Sequence, residues 1–172
     1  MSNINFKKIV ENLIDTFIYA GKVSLKLREK GLIKKIKSDN TPVSNGDLEV
    51  NEIITKKIFE LTPDIPIISE ETSDNKSIID LRNFWLIDPI DGTYDYINNL
   101  DEFTINAGLI IDRQPTAGLI YAPAKERMFY SYGKELAFEK TGGEIMKLDC
   151  SKNFNKNQII FVSYSINLKP EI

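Results

Sequence analysis

Apolar and charged residues alternate at helical spacing through the first part of the chain. Apolar positions recur every three or four residues over Phe6–Leu25, and this pattern predicts a helix that ends near Gly31. A second helical pattern covers Gly46–Leu61 and stops at Thr62-Pro63, because proline cannot continue a helix. The inward face expected for the second helix consists of Val50, Ile54, Ile58 and Leu61.

Shorter apolar runs with the spacing of β-strands follow the helices. Ile65–Ile68 predicts a short strand that leads into Ser69-Glu70-Glu71, and polar residues from Thr72 to Ser77 predict a loop after it. Turn residues then separate several further strand patterns. The predicted strands after the loop are Phe84–Asp88, Phe103–Ile111, Thr116–Tyr121, Met128–Ser131, Glu135–Glu139 and Ile159–Ser163.

This order of elements predicts the fold class α+β, with an N-terminal helix pair packed on a largely antiparallel sheet. The 172 residues suffice for one domain or for part of a larger one, and we treat residues 1–172 as a single unit. The net charge of −3 argues against a nucleic acid polymer as partner. The sequence shows neither a transmembrane segment nor a signal peptide, which favours a cytoplasmic protein.

The residue types narrow the chemistry further. The chain has no histidine, so a Ser-His-Asp triad or a histidine-ligated zinc site cannot be built from it. Cys150 is its only cysteine, which excludes a disulfide within the chain and a cysteine-rich zinc site. Carboxylates remain as the main reactive groups, and they prefer hard cations such as Mg2+.

Two aspartates, three residues apart, follow the buried run that begins at Phe84. In the segment 88–93, Asp-Pro-Ile-Asp-Gly-Thr, Pro89 has no amide hydrogen and Gly92 permits backbone conformations closed to other residues. A sharp bend there lets Asp88 and Asp91 converge on one cation, or bridge two that lie about 3.5–4 Å apart. The alternative interpretation is an ordinary turn, since Asp-Pro and Asp-Gly are common turn formers.

A hydroxyl and an acidic residue add to this candidate site. If Thr93 opens a short helix, the amide groups of Gly92 and Thr93 form a site for a phosphate. Ser44 and Asp47 resemble a capping box for the second helix. Asp47 also has a catalytic interpretation, in which it accepts a hydrogen bond from the Thr93 hydroxyl and makes that hydroxyl a relay to water. Both roles are compatible.

Glu70 and Glu71 end the predicted Ile65–Ile68 strand. Adjacent carboxylates usually belong to a solvated loop, because they repel each other. If their strand pairs with the one leading to Asp88, however, one of the two glutamates lies at the same sheet edge and completes a cation site. The lysine run at residues 34–37 is expected to be solvated, with contact to an anionic substrate as its alternative.

Taken together, these segments resemble the lithium-sensitive, magnesium-dependent phosphatases related to inositol monophosphatase and fructose-1,6-bisphosphatase. Within that superfamily the chain is most similar to bacterial 3'(2'),5'-bisphosphate nucleotidases. The resemblance implies the first half of the layered αβαβα sugar-phosphatase fold. It rests on Asp39–Ser44, Thr62–Glu71, Trp85–Thr93, Glu102–Asn106 and Gly118–Pro123.

The resemblance also implies roles for single residues. Metal ligands would be Glu70, Asp88, the carbonyl of Ile90, and Asp91, with Asp88 between two Mg2+ ions. Substrate would contact Glu70, Ile90, Asp91, Gly92 and Thr93, and the catalytic residues would be Asp47, Glu70 and Thr93. The implied reaction removes the 3'-phosphate of adenosine 3',5'-bisphosphate; the alternatives are an inositol monophosphate or a sugar bisphosphate as substrate.

The chain departs from the family pattern at its C-terminal end. Family members continue into a second α/β region, which carries a Trp-Asp motif that completes the second metal site, and nothing here matches it. The expectation is therefore an N-terminal portion of the fold, with a separately encoded C-terminal half or a homodimer as possible partner. An inactive fragment is the remaining alternative.

Overall fold

A computed structural model of the protein describes residues 5–37, 40–72 and 81–149. Helix α1 spans Phe6–Lys30, and helix α2 spans Asn45–Leu61. The Asn5 side chain caps α1 by accepting a hydrogen bond from the amide of Lys8 at 3.0 Å. Both helices confirm the sequence pattern, and none of the helices in these ranges is long and apolar enough to cross a bilayer.

Nine strands and a short third helix complete the described part of the chain. Two small strands form a hairpin of their own, and the other seven form one sheet in sequence order. Helix α3 covers Thr93–Ile97, between the fourth and fifth strands. The strands are β1 Lys34–Ile36, β2 Pro42–Ser44, β3 Ile67–Ser69, β4 Phe84–Asp91, β5 Thr104–Ile111, β6 Gln114–Ala122, β7 Arg127–Ser131, β8 Ala137–Thr141 and β9 Glu144–Lys147.

The seven-stranded sheet is antiparallel except at its first pair. Strands β3 and β4 run parallel, with Ser69 opposite Ile87, and every later pair is antiparallel. This arrangement confirms the predicted α+β fold with a largely antiparallel sheet. Because β3 and β4 are parallel, the residues that follow β3 lie beside the end of β4. Side chains from the ends of both strands can therefore contribute to one site.

One face of the sheet packs against the helices and forms the core. Phe17 of α1 and Ile54 of α2 are fully buried there, as is Trp85 of β4. Strand residues alternate between the two faces, so every second side chain points away from the helices. On that second face Leu86 and Ile120 remain 49% and 48% exposed.

The strand boundaries differ in part from the prediction. Strand β3 is Ile67–Ser69 instead of Ile65–Ile68, and β4 runs three residues beyond Asp88. The predicted strand Glu135–Glu139 is shifted to Ala137–Thr141. The hairpin β1–β2 and strand β9 were not predicted. The predicted strand Ile159–Ser163 lies outside the described residues.

Candidate metal and phosphate site

A β-bulge in β4 brings the two aspartates of the site to the same face of the sheet. Residues three apart on a regular strand point to opposite faces. Here Asp88 pairs with Asn106 and Asp91 pairs with Thr104, so three steps along β4 match two steps along β5. The extra residue at Pro89-Ile90 is a bulge, and it redirects Asp91 toward Asp88. The local sequence thus creates the paired carboxylates.

Glu70 reaches the same place from the neighbouring parallel strand. Its amide donates a hydrogen bond to the carbonyl of Ile87 at 3.1 Å, which extends the β3–β4 pairing one residue past β3. Burial, the charges of Glu70 and Asp91, and a hydrogen bond with Glu70 raise the pKa of Asp88 to about 7. The charges of Glu70 and Asp91 therefore both act on Asp88.

The oxygen atoms of this cluster fit a hard dication. One carboxylate oxygen of Asp88, Oδ1, is buried and accepts no hydrogen bond from the described residues. A buried acceptor without a donor is costly, and a cation or its bound water satisfies it. No three acidic or thiol side chains in residues 5–37, 40–72 and 81–149 form a ready-made metal cage. The donors of the cluster are carboxylate oxygens, which are the kind of ligand that a hard dication prefers.

The ammonium group of Lys37 lies against the glutamates at the candidate site. Lys37 Nζ lies 3.1 Å from Glu70 Oε1 and 2.8 Å from Glu71 Oε1, and only 20% of the Lys37 side chain is exposed. Lys37 follows β1, and its amide donates to the carbonyl of Thr41 at 2.8 Å, which closes the loop of the β1–β2 hairpin. Lys37 thus places a positive charge against the glutamates.

The pKa values of this ion pair reflect two opposing effects. Burial lowers the pKa of Lys37, but its hydrogen bonds to Glu71 and Glu70 outweigh burial and raise it overall. Burial also raises the pKa of Glu71, whose side chain is 4% exposed, and Lys37 offsets this only partly. The raised pKa of Glu71 indicates that burial and the nearby charges of Asp47 and Glu70 outweigh its ion pair.

Asp47 and Thr93 form the hydrogen bond that the sequence predicted. The Thr93 hydroxyl lies 3.0 Å from Asp47 Oδ1 and 2.9 Å from the Ile90 carbonyl, and its single hydrogen serves one of them at a time. The other Asp47 oxygen accepts from the amide and hydroxyl of Ser44 at 2.8 and 2.6 Å. The capping box is therefore present, and it fixes Asp47 toward Thr93.

Gly92 lets the chain turn from β4 into α3. Its φ of 90° lies in the left-handed region, and a Cβ there would come within 2.8 Å of the Glu102 carbonyl oxygen. Thr93 then begins α3, which confirms the predicted short helix. The first amide groups of a helix have no hydrogen-bond partner inside that helix.

Two residues of this site were not predicted from the sequence. Lys37 belonged to a lysine run that was expected to be solvated, and only the hairpin β1–β2 reveals its contact with the glutamates. Asn106 was noted as part of a motif but given no role, yet its amide nitrogen donates to Asp91 Oδ2 at 3.2 Å. Its position opposite Asp88 depends on the β4–β5 register, which the sequence does not specify.

The fold and the site together define a class of protein. It is an α+β protein with a carboxylate cluster, suited to a hard cation, where strands β3 and β4 of its sheet end. Residues 7–168 match the inositol monophosphatase family, and the chain belongs to that family. It is 34% identical over 145 residues to the 3'(2'),5'-bisphosphate nucleotidase CysQ of Aggregatibacter actinomycetemcomitans, a match that covers 81% of this chain and 53% of that protein.

Solved structures agree with this family assignment. CysQ from Bacteroides thetaiotaomicron is 26% identical with a TM-score of 0.62, over 81% of this chain and 51% of that one. An inositol monophosphatase/NADP phosphatase complexed with Mg2+ and phosphate is 18% identical with a TM-score of 0.70, over 79% and 52% of the two chains. The chain spans about half the length of the curated relatives it matches.

Proposed function

We propose that the chain belongs to a Mg2+-dependent phosphatase. The reaction is hydrolysis of the 3'-phosphate of adenosine 3',5'-bisphosphate, which gives AMP and phosphate. The observation that carries the proposal is that Glu70 and Asp91 both act electrostatically on Asp88, whose buried Oδ1 has no hydrogen-bond partner among the described residues. Carboxylate oxygens in such a group are suitable ligands for a dication. The name of the nucleotidase relative supports the substrate, and the neighbour that binds Mg2+ and phosphate supports the cofactor.

In this proposal the metal ligands are side-chain oxygens of Glu70, Asp88 and Asp91 and the carbonyl oxygen of Ile90. When bound, Mg2+ lowers the pKa of a coordinated water and neutralises charge that develops on the phosphoryl group. The Ile90 carbonyl has two lone pairs, so it can accept from Thr93 and still face a cation. The bulge at Pro89-Ile90 supports this ligand set, because it lies between the two aspartates and includes the Ile90 carbonyl.

Thr93 and Asp47 act on the attacking water. The Thr93 oxygen accepts a proton from that water while its own hydrogen passes to Asp47 Oδ1, 3.0 Å away. Ser44 donates hydrogen bonds to the second oxygen of Asp47, which fixes the orientation of the carboxylate toward Thr93. The amide groups of Gly92 and Thr93 bind the phosphate oxygens at the turn where β4 leads into α3.

Phosphate release from adenosine 3',5'-bisphosphate, with and without Mg2+, tests the proposal. We expect turnover that requires Mg2+ and falls at least about a hundredfold in Asp88→Asn. Asp64→Asn, which makes the same change at an exposed position, is the matched control and should leave turnover unchanged. Inositol monophosphate and a sugar bisphosphate, assayed side by side, identify the substrate class. Equal turnover in EDTA and in Mg2+ would overturn the metal assignment.

Metal binding is measured separately from turnover, because the chain spans only about half the length of its relatives. Titration calorimetry with Mg2+ should show binding by the wild-type chain and loss of binding in Asp88→Asn. Binding without turnover would support the metal site, but it would reject the proposed nucleotide hydrolysis for this chain. Absence of binding by the wild-type chain would reject the proposed site itself.

A further inference from the structure

Two buried oxygens face each other across the β4–β5 pairing at the candidate metal site. Among the described residues, only Asp88 Oδ1 and Asn106 Oδ1 are buried side-chain polar atoms without a hydrogen-bond partner. The two residues are direct partners in the β4–β5 ladder. Directly opposed residues in an antiparallel pair have Cβ atoms about 4.5–5.5 Å apart, so both oxygens lie within reach of one bridging group.

The orientation of the Asn106 amide is fixed by its other contact. Its Nδ2 donates to Asp91 Oδ2 at 3.2 Å, and a carboxylate can only accept. A flipped amide would place two acceptor oxygens against each other, so Oδ1 must be the atom left over. Asn106 therefore donates to Asp91 with its nitrogen, and its oxygen is left without a partner on the residue that pairs with Asp88.

Both atoms without partners are acceptors, so no hydrogen bond between them can satisfy them while Asp88 is ionised. A cation, or a water that a cation holds, would satisfy both oxygens at once. Glu70 and Asp91 already place negative charge around this point. A neutral amide oxygen is the kind of ligand that hard dications accept alongside carboxylates.

We propose that Asn106 is a further residue of the cation site: its amide oxygen binds the cation or a water held by it, and its amide nitrogen positions Asp91. This inference rests on the proposed function, because it assumes that a dication occupies the carboxylate cluster. It adds a contact from β5 to ligands that otherwise come from β4 and the end of β3. The cation is thereby held between neighbouring strands of the sheet.

Titration calorimetry of the full chain with Mg2+ tests the proposal through two substitutions. Asn106→Leu has a similar size but removes both polar atoms, and we expect its affinity to be about tenfold weaker. Asn106→Asp keeps an oxygen, removes the donor to Asp91 and adds a negative charge that attracts the cation, so we expect affinity no weaker than that of the wild type. Asn12→Leu and Asn12→Asp, at an exposed position of α1, are the matched controls.

The affinities of the two variants show whether the oxygen or the nitrogen of the Asn106 amide matters for Mg2+ binding. Wild-type affinity in Asn106→Leu would overturn the inference. Equal weakening in Asn106→Leu and Asn106→Asp would overturn the role of the amide oxygen as a ligand, since only the donor to Asp91 would then matter. If Asn106→Leu does not fold, Asn106→Val replaces it, because β-branched residues suit a strand.

The same titration separates this inference from the proposed function. Failure of the wild-type chain to bind Mg2+ would reject the metal site, and with it both proposals. Binding by the wild type that is lost in Asp88→Asn but unchanged in Asn106→Leu would reject the role of Asn106 alone. Thermal unfolding with and without Mg2+ gives a second readout, since a weaker site gives a smaller shift in melting temperature.

Discussion

Lys37 Nζ lies 2.8 Å from Glu71 Oε1, and this contact ties the loop of the β1–β2 hairpin to the residues after β3. The same ammonium group lies 3.1 Å from Glu70 Oε1. A dication that binds Glu70 therefore competes with Lys37 for the same negative charge. The hairpin is thus coupled to the candidate metal site through a side chain and not only through packing.

We expect Lys37→Met to bind Mg2+ more tightly than the wild type, by about fivefold or about 1 kcal/mol, because the competing ammonium is gone. The metal-free variant should also unfold more readily, since its glutamates lose their counter-charge. Titration calorimetry and urea unfolding in EDTA measure the two effects. Lys35→Met, an equal change of charge on exposed β1, is the control. Weaker binding by Lys37→Met would show instead that Lys37 positions Glu70 for the cation.

The stability of the metal-free chain should depend on the titration of Asp88. Burial first, and then the charge of Glu70, raises its pKa from 3.8 to about 7 in the folded protein. The folded state therefore binds more protons than the unfolded state between these values, so stability falls as the pH rises through this interval. Above pH 7 the contribution is constant.

Urea unfolding in EDTA at several pH values, for the wild type and Asp88→Asn, isolates this effect. The difference between the two curves should favour Asp88→Asn increasingly from about pH 4 to pH 7, because the amide carries no charge to bury. A difference that does not change with pH would mean that Asp88 titrates alike in the folded and unfolded chain. Carboxylates far from Asp88 cancel in the comparison, whereas Glu70 and Asp91, which act on Asp88, contribute to the difference.

Thr93→Val should reduce phosphate release by about a hundredfold while leaving Mg2+ affinity nearly unchanged. Valine has the same shape but lacks the hydroxyl that bonds Asp47 and the Ile90 carbonyl. Thr93→Ser keeps the hydroxyl and should retain most activity. Steady-state kinetics together with calorimetry measure both quantities. A loss of metal affinity as large as the loss of rate would show that Thr93 acts on the metal site.

Gly46→Ala should destabilise the fold by about 1–3 kcal/mol, although alanine is the better helix former. A Cβ at Gly46 would overlap the Tyr96 side chain, whose hydroxyl donates to the Ser24 carbonyl at 2.7 Å. The contact between α2 and α3 thus requires glycine. Gly108→Ala is the control, since a Cβ there meets its nearest atom at 4.0 Å. Thermal and urea unfolding measure the difference.

Hydrophobic periodicity predicted most of the fold because the long elements bury one face. The stripe through Ile54 and Ile58 of α2 is fully buried, as its spacing indicated. Short solvated elements carry no such signal: β1 consists of exposed Lys34, Lys35 and Ile36, and β9 is exposed along its length. Their pairing comes from turns and from neighbouring strands, which periodicity does not report.

The sequence predicted the parts of the candidate site that a single short segment determines. It did not predict the parts that depend on how the strands pair. Gly92 and the bulge before it follow from the Asp-Pro-Ile-Asp-Gly segment itself. Asn106 is fifteen residues from Asp91 along the chain, and Lys37 is thirty-three from Glu70. Their contacts depend on how β4 pairs with β5 and where a small hairpin folds, so only the structure shows them.

The exposed apolar side chains on the second face of the sheet have a practical consequence. Leu86 and Ile120 are about half exposed there, away from α1 and α2. Salts that are excluded from protein surfaces strengthen the burial of such groups between molecules. Ammonium sulfate should therefore raise the mass measured by light scattering at concentrations that leave the fold intact, and replacing Ile120 with threonine should reduce that rise.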